Sequence, residues 1–98
     1  MSKIEPIHAG EILFEEFMEP FALSQNALAK SLNVTPRRIN EIVNKERAIT
    51  ADTALRLSKF FGNSAEFWMN LQNTYELEIA RDKFFKQIDS EIELFQAS

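Results

Sequence analysis

Residues 24–47 read SQNALAKSLNVTPRRINEIVNKER, and the pattern of this stretch decides the fold. Ser24 is an N-cap residue ahead of a short helix whose apolar face is Leu28, Ala29 and Leu32; Asn33, tolerant of the left-handed conformation, ends it. Thr35 caps the next helix, with Pro36 at the first helical position, where its missing N–H costs nothing. At about 100° per residue, Ile39, Ile42 and Val43 gather on one side of this second helix. Arg37 stands opposite them with Asn40, Glu41 and Asn44 nearby, and Arg38 and Lys45 fall on the flanks. The stretch predicts two short helices joined by a tight turn, the second presenting basic and amide side chains outward.

That arrangement has the spacing of a helix-turn-helix. Such an element needs a small residue in its first helix, a residue able to take the turn, and apolar positions that pin the two helices together. Counting Gln25 as position one, Leu28, Ala29, Leu32, Val34, Ile39 and Ile42 fill positions four, five, eight, ten, fifteen and eighteen. The second helix would enter the major groove, about 12 Å wide. Base reading is therefore assigned to Arg37, Asn40, Glu41 and Asn44, since Arg suits guanine, Asn suits adenine and Glu accepts from cytosine. Gln25, Thr35, Arg38, Lys45 and Arg47 are the candidates for phosphate contacts, which position rather than specify. Glu41 also has a plainer reading as a solvated residue, and Arg47 one as a cap on the recognition helix's C-terminus. A single recognition helix binds weakly, so a homodimer on an inverted repeat is expected, with half-sites roughly 34 Å apart.

Charge agrees once it is divided along the chain. The 98 residues carry a net charge of −4, yet residues 24–59 hold seven Lys or Arg against three acids. Residues 1–23 hold one Lys against five Glu, and residues 60–98 hold three basic against seven acidic side chains. A DNA footprint is local, because charges more than about 8 Å away are largely screened at physiological salt. Two Gly and three Pro leave little room for turn-rich β architecture, and 45% hydrophobic content supports a folded, all-α chain of one domain. Zero cysteines exclude disulfides and thiol chemistry. No apolar run is long enough to span a membrane, and the opening MSKIEPIHAGE lacks a signal peptide's apolar core, so a cytoplasmic protein is expected. No cofactor or metal is expected. An enzyme is the least expected class, for want of a nucleophile–base pair, a metal cluster or a phosphate loop.

Outward from the helix-turn-helix, EILFEEFMEPF places Ile12, Leu13 and Phe17 on one face, with Glu11, Glu15, Glu16 and Glu19 mostly opposite and Pro20 as the stop. Thr50 caps a fourth helix with Ala54, Leu57, Phe60 and Phe61 toward the core and Gly62 as its end. Ser64 caps a fifth, in which Trp68, Leu71 and Tyr75 share a face that is either core or a dimer seam. Beyond Arg81, the stripe Phe84/Phe85, Ile88, Ile92, Phe95 predicts an amphipathic helical segment over about residues 81–98, separate from helix five or continuing it. His8 stands alone and reads as a structural hydrogen-bonding group.

Taken together, IHxGEIL (Ile7, His8, Gly10 to Leu13), the helix-turn-helix, RxITAxTALRL (Arg47 to Leu57) and FGxSxEFWxNLQ (Phe61 to Gln72) closely resemble the HigA/VapI-type antitoxins of the XRE, or Cro/CI-like, superfamily. The resemblance covers about residues 7–80. Ala9 stands where the family tends to have Pro, Asn33 where it has Gly, and Lys45-Glu46 where Gly-Lys is common. The resemblance implies a five-helix, lambda-repressor-like domain that represses its own operon and silences a small RelE-like ribonuclease toxin. Such toxins tend to be basic, and the chain offers two acidic surfaces, helix one and the tail; helix one, at Glu15 and Glu16, is the favoured docking surface. An XRE-type regulator without a toxin partner is the alternative.

Overall fold

The computed structural model describes residues 5–96. Five helices follow one another: α1 (Ala9–Ile12, running on through a π-helical stretch, Leu13–Met18, and a 3-10 turn, Glu19–Phe21), α2 (Gln25–Leu32), α3 (Pro36–Val43), α4 (Ala51–Phe61) and α5 (Ala65–Glu91). No strand is present among the described residues. Nor is any helix long and apolar enough to cross a membrane.

Side-chain caps place the starts. Ser24, Thr35, Thr50 and Ser64 each accept a hydrogen bond from the backbone N–H three residues on, as N-cap hydroxyls do. At α1 the cap is His8, whose Nδ1 accepts from the Gly10 N–H at 2.9 Å. The His8 ring is buried against Tyr75, with centroids 4.7 Å apart, and burial holds its pKa below the ordinary value of 6.5 although Glu11 pulls the other way. Gly10 is required by close approach: a Cβ there would collide with the Ile42 carbonyl at the end of α3.

The core joins Leu13 and Met18 to Leu28, Ala29, Leu32, Ile39, Ile42, Ile49, Ala54, Leu57 and Trp68, all buried. Leu13 and Met18 are five residues apart, a spacing that reaches one face only where the helix widens to π geometry, and the Glu19 N–H bonds to the Phe14 carbonyl accordingly. The expected Ile12, Leu13, Phe17 face is corrected in this way. Leu13 is fully buried, Met18 joins it, and Ile12 and Phe17 are half-buried at the margin. Pro20 does not stop the helix outright but sits in the 3-10 turn, which ends at Ala22 in the left-handed region (φ 52°).

Asn33 closes α2 at φ 57°, in the role the sequence assigned it. Lys45 takes the same conformation after α3 (φ 65°), with the Glu46 N–H bonded to the Glu41 carbonyl at 2.8 Å. This is the position where the related pattern has glycine, and the geometry explains that preference. Lys45 Nζ meets Glu11 Oε1 at 2.7 Å, which fastens α1 to the end of α3 and raises the Lys45 pKa.

At the C-terminal side one expectation changes and two open readings narrow. Phe60 is 43% exposed rather than buried, because Thr53, Ala54 and Leu57 already form the inner face of α4. Trp68 is fully buried within one chain, its Nε1 donating to Asn63 Oδ1 at 2.9 Å, so the proposed seam of Trp68, Leu71 and Tyr75 loses its centre to the core; Leu71 and Tyr75 are half-buried. Finally, the segment after Arg81 continues α5 without a break as far as Glu91, Ile92 is extended, Phe95 lies beyond the helix, and residues 97–98 of the expected segment lie outside the described residues. The resulting radius of gyration is 16.9 Å, against about 13 Å for a compact chain of this length. The distal part of α5 accounts for the excess, standing away from the core with Phe84, Phe85 and Ile88 exposed.

Candidate nucleic-acid interface

The buried side of α3 is Ile39 and Ile42, packed on α2 and α1; its opposite side is solvent. On that outer side an amide row runs from α2 along α3. Asn40 Nδ2 donates to Gln25 Oε1 at 3.1 Å, and Asn44 Nδ2 donates to Asn40 Oδ1 at 3.3 Å. Three amides held in line present fixed donors and acceptors outward, which is the chemistry that base edges require. Arg37 flanks the row, its side chain 85% exposed.

Glu41 occupies a different place from the one its sequence position suggested. It is half-buried, with Oε2 accepting from Arg37 Nε at 3.1 Å and Oε1 lying 3.6 Å from Arg47 Nε. Both carboxylate oxygens are thus engaged by arginines. The carboxylate expected to face bases is thus already engaged within the chain.

The phosphate candidates divide as well. Gln25, at the start of α2, is itself the first amide of the row; Thr35 is the N-cap of α3, and Lys45 and Arg47 follow its end. Thr35 Oγ1 is spent on the Arg38 N–H at 3.2 Å, leaving its hydroxyl proton for an outside acceptor. Arg38 points elsewhere. Its Nη1 donates to Asp52 Oδ2 at 2.8 Å and approaches Thr53 Oγ1 at 3.4 Å, so in the free chain it joins α3 to α4. The expected Arg38–phosphate contact would therefore have to exchange this intramolecular pair.

Three residues that sequence reasoning left unused, Asp52, Arg56 and Gln72, complete the framework. Arg56 Nε donates to the same Asp52 Oδ2 at 3.0 Å, and its Nη1 donates to the Leu32 carbonyl at 2.9 Å, capping the C-terminus of α2. Hydrogen bonds from Arg56 and then Arg38 hold the Asp52 carboxyl below the usual carboxylate range. Asp52 and Arg56 stand four apart on one helix, which was the available signal; the reach to Leu32 across the turn was not readable. Gln72 is the other omission: buried, it accepts the Ile49 N–H at 3.0 Å and so anchors the loop after α3.

Glu15 and Glu16 are exposed on the outer side of the π-helical stretch, on a different element from the amide row. Among the described residues no cluster of His, Asp and Glu is arranged to hold a metal ion.

Comparison with known proteins places this fold in a family. A helix-turn-helix family model matches residues 14–68. Virulence-associated protein I of Dichelobacter nodosus is 54% identical over 79 residues, covering 81% of this chain and 73% of the relative. Among solved structures, an addiction module antidote protein of the HigA family from Coxiella burnetii superposes with a TM-score of 0.89 at 48% identity, covering 94% of this chain and 100% of that one. Pseudomonas aeruginosa antitoxin HigA, solved with the higBA promoter, superposes with a TM-score of 0.90 at 48% identity, covering 93% of this chain and 99% of the other.

Proposed function

Since this chain belongs to the HigA/VapI-type antitoxins of the XRE helix-turn-helix superfamily, we propose that it is a sequence-specific DNA-binding repressor of its own operon that also neutralises a RelE-like, mRNA-cutting toxin by binding it. The observation that carries the DNA part is the outer face of α3: the Gln25–Asn40–Asn44 amide row beside an outward Arg37. In this reading Arg37, Asn40 and Asn44 meet base edges, with Glu41 aiming Arg37. Gln25, Thr35, Lys45 and Arg47 meet phosphates. The Pseudomonas aeruginosa relative, solved with the higBA promoter, supports the DNA-binding part of this reading.

A homodimer follows from the same reading, since one eight-residue recognition helix has too little surface for tight specific binding. The exposed Phe84, Phe85 and Ile88 of distal α5 support a seam there rather than at Trp68. The toxin is assigned to the acidic outer side of α1 at Glu15 and Glu16, away from the DNA face, by charge complementarity with a basic partner.

Footprinting upstream of the gene tests the repressor; two protected half-sites about one helical turn apart are expected. Co-expression with the adjacent reading frame tests the antitoxin, the expected result being a small basic protein that copurifies and is released by reversing Glu15 and Glu16 to Lys. Operator binding with no copurifying protein would instead select an XRE-type regulator without a toxin.

A further inference from the structure

An acidic side chain beside a DNA-binding helix repels phosphate, so its presence calls for a reason. Asp52, in the first turn of α4, is 56% exposed, and two arginines converge on its Oδ2: Arg38 from α3 at 2.8 Å and Arg56 from α4 at 3.0 Å. Arg56 in turn holds the carbonyls of Leu32 and Asn33 at 2.9 and 3.4 Å. One carboxylate therefore ties the end of α2, the start of α3 and the start of α4 together. Its place near the α4 N-terminus also suits a negative charge.

The adjacent arginines make the consequence visible. Arg37 has an 85% exposed side chain and Arg38 a 32% exposed one. Were Arg38 released from Asp52, it would add a second cation beside Arg37 for a passing phosphate. Non-specific DNA affinity grows with each cation available to the backbone, whereas specificity grows with groups held at fixed positions against base edges. Arg38 is removed from the first set and used to fix the second.

We propose that Asp52 is a specificity-determining positioning residue for DNA: by sequestering Arg38 it sets the orientation of α3 and withholds one cation from indiscriminate phosphate binding. The inference rests on the repressor reading above, and its test is chosen to separate the two. Binding of the full-length Asp52→Asn variant is measured by fluorescence anisotropy across a salt series, on the operator and on a scrambled duplex. Glu46→Gln removes one charge from the loop after α3 without releasing Arg38, and sets the effect of charge alone.

On scrambled DNA the log–log salt slope of Asp52→Asn should steepen by about 0.9, the value for one added phosphate contact. The ratio of operator to scrambled affinity should fall at least about tenfold, beyond any change in Glu46→Gln. Adding Arg38→Ala to Asp52→Asn should return the scrambled-DNA slope to the wild-type value. A purely structural role would lower the melting temperature and weaken both duplexes alike, leaving slope and ratio unchanged; that outcome overturns the inference while the repressor reading stands. A wild-type chain that binds operator and scrambled DNA equally overturns the repressor reading itself, and the inference with it.

Discussion

The helix-turn-helix and the distal half of α5 both carry apolar stripes in sequence, yet the molecule treats them in opposite ways. Leu28, Leu32, Ile39 and Ile42 are buried within one chain, every start is capped, and the outer face is polar. Phe84, Phe85 and Ile88 remain about half exposed on a helix that leaves the core behind. The difference is one of what completes each element. Short helices of eight residues do not persist alone and depend on the packing around them. A 27-residue helix keeps its own backbone bonds over many turns, and its distal apolar stripe stays exposed within the chain, as the proposed seam requires.

Core truncation sharpens this contrast with the largest effect. Leu28→Ala should cost about 2–5 kcal/mol in urea unfolding, a large part of a small domain's stability. The double variant Phe84→Ser, Ile88→Ser should instead leave the unfolding of diluted chain nearly unchanged while weakening self-association at least about tenfold by analytical ultracentrifugation, equal to about 1.4 kcal/mol. Comparable destabilisation by the two variants would erase the distinction between the regions.

A smaller effect separates them by pH. The folded chain holds His8 below its ordinary pKa of 6.5, chiefly by burial, whereas the unfolded chain takes up that proton near 6.5. The neutral cap's contribution is whole above pH 6.5 and is lost as the pH falls through 6.5 toward the folded value. Urea midpoints should therefore decline between pH 7 and pH 5. His8→Asn keeps a capping acceptor without titrating and should flatten that slope; an unchanged slope would remove His8 as its source.

Much of this architecture was legible because it is local. Ser24, Thr35, Thr50 and Ser64 announce helix starts by residue type, and Asn33 and Gly62 announce ends by tolerance of positive φ. The apolar face of the helix-turn-helix was equally readable from 3.6-residue periodicity. That same periodicity misplaced α1, where a π-helical stretch buries Met18. Lys45 at φ 65° gave no sign, since lysine rarely takes that conformation and Glu11, 34 residues earlier in sequence, holds its side chain. Residue type placed Arg37, Arg38 and Glu41 near the candidate interface but was silent on direction. The partner Asp52, on another helix, draws Arg38 toward α4, and Arg37 and Arg47 together occupy Glu41.

The central claim is that the outer face of α3 reads bases. Its most direct test is a competition titration of Arg37→Ala and Asn44→Ala, each against wild type, on operator and scrambled duplexes at one fixed salt concentration. Each variant should lose about 1–3 kcal/mol on the operator and much less on scrambled DNA. Equal losses on both duplexes would mean that these side chains touch only the phosphate backbone, and would contradict the account.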